Sequence, residues 1–185
     1  MSAIETLMDE HRLILRALDA LEVFATRVEQ GAPEDRLELA RFARFLREYA
    51  DVHHHAKEEE ILFAAMVRAG FPAQSGPIAV MLVEHGAGRA HVAILTDRSE
   101  DGATWEPEDR EAIVDAARGV AGLLRGHIAK EDQALYPMAV QHLDGAAMSA
   151  VELGLERRDA RTAERAAMLR ALGLELVQRH THPHP

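Results

Sequence analysis

The sequence predicts an all-α protein: an antiparallel, up-down-up-down four-helix bundle with an additional C-terminal helix. Its 185 residues are 48% apolar but only 4% aromatic. That composition favours closely packed helices over sheet cores, which draw on β-branched and aromatic residues. Turn-forming stretches are few ("GAP", "GFPAQSGP", "SEDGATWEP" and "LDG") and separate five long segments that read as helices.

Each segment carries its own signals. The first has an apolar stripe at helical spacing, formed by Ile4, Leu7, Met8, His11, Ile14, Leu15 and Leu18. Pro33 precedes an acidic first turn, and Pro107 suits the first position of the fourth helix. Short connections between long helices indicate antiparallel neighbours. We therefore assign residues 1–145 to the four-helix domain, 146–179 to a helical extension packed on it, and 180–185 to a disordered tail.

Charge and composition exclude several classes of function. The net charge of −10 disfavours nucleic acid and anionic membranes as partners. The absence of cysteine excludes disulfides, thiolate metal sites and a cysteine nucleophile. The N-terminus "MSAIETLMDEH" lacks a signal peptide's basic flank and apolar core, and no apolar run approaches membrane-spanning length. We expect a cytoplasmic protein, either a monomer or a homodimer.

An internal repeat shows which polar residues face inward. "HHAKEEEILF" (54–63) matches "HIAKEDQALY" (127–136), and an upstream "EH" occurs at 10–11 and again at 84–85. His54 and Glu58 are four residues apart and share one helix face, as do His127 and Glu131. We expect His53, Lys57 and Glu60 to be solvated. The alternative register, His55 with Glu59, has the same spacing and stays open.

Together these residues suggest a metal site. Four histidines, His11, His54, His85 and His127, come from four different helices on faces that otherwise read as core. Burying Glu58 and Glu131 among them costs several kcal/mol per carboxylate without a counter-charge, which a bound cation would supply. The set suits two ions better than one, and mixed imidazole and carboxylate ligands favour iron, manganese or zinc over calcium or magnesium. The alternative is a metal-free bundle in which each histidine bonds to a backbone carbonyl.

Four motifs in this order, "DEHRLIL", "HHAKEEEILF", "MLVEHGAGR" and "HIAKEDQALYPMA", resemble the hemerythrin-like (HHE cation-binding) family over residues 3–143. The resemblance implies a four-helix bundle around an oxo- or hydroxo-bridged non-haem di-iron centre, with zinc or manganese as alternatives. It implies the ligands His11, His54, Glu58, His85, His127 and Glu131, with both glutamates bridging.

The chain also departs from the family's oxygen carriers. Their fifth histidine corresponds to Arg89 here, and His91 lies too far round the helix to replace it. Their fourth-helix carboxylate is spaced like Asp132, so Glu131 and Asp132 are alternatives.

The resemblance suggests a centre that binds O2 or NO, or their reduced products, for sensing, scavenging or stress response. The alternatives are a di-iron enzyme that reduces peroxide or NO or repairs iron centres, and an iron store. Neither Tyr49 nor Tyr136 has a placement that demands a catalytic role, so the sequence leaves open whether the protein is an enzyme.

Overall fold

The computed structural model describes residues 2–100, 102 and 104–181, and the regular structure in these residues is entirely helical. Five long helices follow one another: α1 (Ala3–Glu29), α2 (36–68), α3 (Gly76–Glu100), α4 (107–142) and α5 (Gly145–Thr181). The predicted all-α class is confirmed.

The helices begin where the local chemistry favours it. Ser2 caps α1 through a reciprocal capping box with Glu5. Asp35 accepts a hydrogen bond from the backbone N–H of Glu38 and so caps α2. Pro107 opens α4, because its missing N–H would have no partner in the first turn.

Two apolar clusters form the core. In one, α1, α2, α3, α4 and α5 contribute residues that include Leu18, Phe42, Val120 and Leu176. The second cluster includes Leu7, Leu62, Met66 and Leu135. Along α1, α2, α3 and α4, the inward-facing histidines and glutamates fall between the residues of these two clusters. The polar centre is therefore enclosed by apolar packing at both ends.

The C-terminal helix α5 packs against α1 and α2 through Val151, Leu155, Leu169 and Leu176. It extends through Thr181 and so includes His180, which the sequence places in the disordered tail. That part of the prediction is wrong: His180 is buried beside Phe24 and Phe42, and its Nε2 lies 2.9 Å from Glu38 Oε1. The rest of the predicted tail, residues 182–185, lies outside the described residues.

One described helix, α3, is long and apolar enough to cross a membrane by length and composition. Core helices pass the same test, and α3 buries His85 while packing against α2 and α4. These properties are weak evidence for a membrane span.

Candidate metal centre

Seven titratable side chains meet between the two apolar clusters. They come from α1, α2, α3 and α4, and each is at most 5% exposed: His11, His54, His55, Glu58, His85, His127 and Glu131. The structure thus brings together all six residues named from the sequence and adds His55.

The seven residues form two overlapping sets of potential metal ligands. One set contains His55, Glu58, His85 and His127, and the other contains His11, His54, Glu58 and Glu131. Within each set the ligand atoms lie within 4.8 Å of one another. The two oxygens of Glu131 face His11 Nε2 at 3.3 Å and His127 Nε2 at 3.2 Å. Glu58 and Glu131 therefore both lie between the two halves of the centre.

The sequence left open whether His54 or His55 faces inward, and in the structure both do. The backbone of α2 is π-helical over Leu46–His55 and again over Glu58–Phe63. Such wide turns are rare and recur at functional sites. His54 lies against His11, with ring centroids 4.6 Å apart, whereas His55 stacks on His85 at 3.8 Å. The two neighbours thus serve different halves of one centre.

Every histidine of the centre is held by a carboxylate on its outer nitrogen. The five Nδ1···O distances are 2.8 Å for His11–Asp132, 2.9 Å for His54–Glu10, 3.3 Å for His55–Asp51, 2.7 Å for His85–Glu59 and 2.9 Å for His127–Glu84. An ionised carboxylate can only accept, so each Nδ1 carries a proton, and in a neutral ring Nε2 then keeps its lone pair. With all five rings neutral, five Nε2 lone pairs face the centre, in the arrangement typical of metal-bound histidines.

Several polar atoms at the centre have no hydrogen-bond partner. They are His54 Nε2, Glu58 Oε2 and both carboxylate oxygens of Glu131. In addition, His85 Nε2 and His127 Nε2 face each other at 3.0 Å, a contact that requires a proton on one of the two atoms. Buried atoms without partners cost free energy. Cations between the two sets would satisfy all of them, so the residues fit a metal centre.

Burial and neighbouring charges shift the pKa values of the two glutamates in opposite directions. Burial, followed by the nearby charge of Glu131, raises the pKa of Glu58 well above its usual value. Burial also acts on Glu131, but the nearby imidazoles of His11 and His127 outweigh it and lower the pKa of that carboxyl.

The imidazoles divide into two groups. Burial lowers the pKa of His54 and His55 to about 4 and that of His85 to about 3, so these three are neutral near pH 7. For His11 and His127 the effect of burial is overcome by the hydrogen bonds to carboxylates, which raise the pKa.

The repeat accounts for most of these supporting carboxylates. Glu10 and Glu84 are the acidic residues of the two "EH" motifs. Glu10 accepts from His54, and Glu84 accepts from His127. Glu59 and Asp132, each one residue after an inward glutamate, hold His85 and His11. Asp132 thus contacts the outer nitrogen of His11, while Glu131 faces the centre. These four carboxylates occupy matching positions of the repeat, and this symmetry is the feature of the sequence that identifies them.

Two residues expected to be solvated are buried instead. His53 is only 9% exposed, and the side chain of Lys57 is completely inaccessible. The prediction was wrong because α5 covers this face of α2 and supplies Asp159, whose Oδ1 lies 3.1 Å from Lys57 Nζ. Glu60 is exposed, as expected, and pairs with Arg158.

Arg89 occupies the position at which oxygen carriers of the family have their fifth histidine. Its guanidinium donates to Asp51 and Glu59, the carboxylates that hold His55 and His85. Beside it lies a cavity of about 340 Å³ that reaches both histidines. Its wall combines apolar residues, among them Val92, Val120 and Leu124, with the polar residues Arg47, Asp51, Thr96 and Asp97.

Of the two tyrosines, only Tyr136 contacts the centre. Its hydroxyl donates to Glu58 Oε1 at 2.6 Å and lies 3.4 Å from His11 Nε2. Burial and the charges of Glu58 and Glu131 raise the pKa of Tyr136, so the phenol keeps its proton. Tyr49 instead stacks on Phe45 and contacts His53, outside the centre.

The fold and this site define a helical protein with a buried histidine and carboxylate centre of the metal-binding kind. The family comparison agrees: the model of the hemerythrin HHE cation-binding domain matches residues 2–139. The chain belongs to this family. No curated protein and no solved structure matches the chain at a significant level.

Proposed function

We propose that this protein holds two non-haem iron ions in its buried centre and binds a small molecule there: O2, NO or one of their reduced products. The observation that carries the proposal is the set of five imidazoles, each anchored at Nδ1 by a carboxylate and each directing Nε2 inward. A histidine that only filled space in the core would not need this arrangement.

The donor set supports two bridged ions rather than one. Seven side chains exceed the coordination of a single ion, while Glu58 belongs to both ligand sets and Glu131 faces histidines of both. Nitrogen and oxygen donors without thiolate suit iron, with manganese and zinc as alternatives. An antiparallel four-helix arrangement of α1 to α4 would explain how residues from four helices reach the same depth.

The two halves of the centre differ in their protein ligands. One half has three imidazoles, and the other has His11 and His54 only. We infer that the exogenous molecule binds in the two-histidine half, which leaves more positions free. A redox-active iron pair held here would supply reversible binding or reduction of O2, NO or peroxide. The chain itself positions the imidazoles, excludes bulk water and places the Tyr136 hydroxyl beside this half.

Sensing, scavenging and a stress response are the roles that such binding would serve. The position of Tyr136 supports an enzyme as the second candidate, because a buried phenol beside the two-histidine half can hold or donate a proton during reduction of peroxide or NO. Iron-centre repair and iron storage are further alternatives. We also propose a cytoplasmic protein, monomeric or homodimeric, that does not bind nucleic acid or membranes.

Metal analysis combined with spectroscopy tests the proposal. Anaerobic reconstitution with Fe²⁺ should give close to two irons per chain, and O2, peroxide or NO should each change the ultraviolet–visible spectrum. Glu58→Ala and Glu131→Ala should abolish iron binding, whereas the exposed Glu60→Ala should not. Protein that stays colourless and iron-free after reconstitution would refute the proposal.

A further inference from the structure

Two carboxylate–lysine pairs related by the repeat differ in their surroundings. Lys130 pairs with Glu84, which holds His127, and the Lys130 side chain is 46% exposed. Lys57 pairs in the same way with Glu10, which holds His54, but its side chain is completely buried. A buried ammonium needs more compensation than one carboxylate already shared with other donors can give. Glu10 is such a carboxylate, because it also lies 3.0 Å from His53 Nε2.

The additional compensation comes from α5. Asp159 places its Oδ1 3.1 Å from Lys57 Nζ, and this residue lies beyond the segment that matches the family model. Glu10, His53 and Asp159 are close enough together to be considered as a third metal site. The ammonium of Lys57 already contacts all three residues, lying 3.4 Å from His53 Nε2. This cluster is therefore a network around an internal cation and not a third metal site.

We propose that Asp159 is a positioning residue for the two-histidine half of the centre and acts through Lys57 and Glu10 on His54. Asp159 and Glu10 share the charge of Lys57. Without Asp159, Glu10 would be the only carboxylate that compensates the charge of the Lys57 ammonium. Glu10 would then be a weaker hydrogen-bond acceptor for His54 Nδ1. That bond sets the orientation and basicity of His54 as a ligand. The inference rests on the proposed function, since it assigns the C-terminal helix a role in metal binding.

Stepwise titration of the full-length protein with Co²⁺ tests this assignment. Loss of a carboxylate that directly supports a ligand typically lowers metal affinity about 10–100-fold. Because Asp159 acts through two further contacts, Asp159→Ala and Asp159→Asn should weaken one of the two binding steps by about tenfold. The other step should be unchanged. Asp159→Glu should restore the affinity, and Glu156→Ala, an exposed change on the same helix, should have no effect.

Proton NMR of the Co²⁺-loaded protein provides a readout that is independent of affinity. The exchangeable Nδ1–H protons of metal-bound histidines are shifted by the paramagnetic ion. Asp159→Ala should move the His54 signal and leave that of His127 in place. A residue that only stabilised α5 would lower the melting temperature without moving that one signal.

A double-mutant comparison separates action through Lys57 from a direct effect. In a Lys57→Met background, Asp159→Ala should cause no further loss of affinity, whereas in a Lys130→Met background it should still cost about tenfold. The inference is overturned if Asp159→Ala binds both ions like the wild type, if it weakens both steps equally, or if its effect persists with Lys57→Met. Wild-type protein that takes up no Co²⁺ would refute the proposed function as well. Two ions bound with no effect of Asp159 would refute only this inference.

Discussion

Replacing Glu58 by Gln tests whether the centre is built to hold a cation. Glu58 is fully buried, and burial together with the charge of Glu131 raises the pKa of its carboxyl well above the ordinary value. In the metal-free protein, Glu58 therefore holds a proton that the unfolded chain releases at neutral pH. Because the folded state binds the extra proton, metal-free stability should fall as pH rises from the unfolded pKa towards the raised folded pKa.

The size of this effect follows from the unfolded reference. In the unfolded chain the Glu58 carboxyl has an ordinary pKa of 4.5. For each pH unit above 4.5, keeping the proton on folded Glu58 lowers the free energy of unfolding by about 1.36 kcal/mol, so the loss at about pH 7 is at most about 3 kcal/mol. Gln is neutral and nearly isosteric, and its oxygen can still accept from the Tyr136 hydroxyl. The substitution should raise the metal-free melting temperature by up to about 10 °C, since each kcal/mol corresponds to about 2–4 °C in a chain of this size.

Metal binding should respond in the opposite direction, because Glu58 belongs to both ligand sets. Thermal denaturation followed by circular dichroism, with and without a chelator, measures both effects. The gain in metal-free stability should be large at about pH 7 and small at about pH 5, where the unfolded carboxyl also begins to hold its proton. The stabilisation that metal gives the wild type should be lost.

The neighbouring Glu60→Gln is the matched control, since that side chain is 62% exposed and paired only at the surface. It should change neither melting temperature appreciably. A Glu58→Gln protein that melts no higher than the wild type near neutral pH would refute the reasoning. So would a variant that metal stabilises as much as the wild type.

Three further predictions concern the centre. Metal affinity should rise with pH, by about tenfold per unit for each proton displaced, because Glu58, His11 and His127 have raised pKa values and hold protons that a metal must replace. Calorimetry in two buffers of different ionisation enthalpy measures the number of protons released. A metal affinity that does not change with pH would contradict the prediction. His55→Ile should weaken the binding of one metal ion by at least about tenfold in a Co²⁺ titration, whereas unchanged binding of both ions would show that His55 is not a ligand. Val92→Phe should fill the cavity beside His55 and His85 and leave the rate of NO binding, measured by stopped flow, unchanged, because we infer that NO binds in the two-histidine half; a slower rate with unchanged metal content would show that NO reaches the centre through this cavity.

The sequence predicted those features that depend on the pattern along a single helix or on the internal repeat. Helical periodicity and turn residues predicted the all-α class, and the repeat singled out His54 with Glu58 and His127 with Glu131. A regular helix separates neighbouring residues by about 100°, so that reasoning made His54 and His55 alternatives. In the structure both histidines reach the centre, on a part of α2 whose backbone is largely π-helical, and hydrophobic periodicity alone does not reveal such turns.

The supporting network was harder to predict because its bonds join different helices. Glu10 reaches His54 from α1, and Asp159 reaches Lys57 from α5. A run of adjacent charged residues is usually solvated, and Glu60 follows that rule. Lys57 does not, because a helix far along the sequence covers it, and only the tertiary structure shows which face of α2 is covered.

The two aligned segments of the repeat differ at five of ten positions, and two of these differences change which groups reach the centre. Where the second half has Ile128, the first has His55, which gives one half of the centre its third imidazole. Where the first half has Phe63, the second has Tyr136, whose hydroxyl lies beside His11 in the other half. A symmetric centre would offer an incoming molecule two equivalent positions. In the proposed di-iron centre, the added imidazole would occupy a position in one half and the added hydroxyl would lie beside the other, so both departures from the repeat would favour the same half for binding.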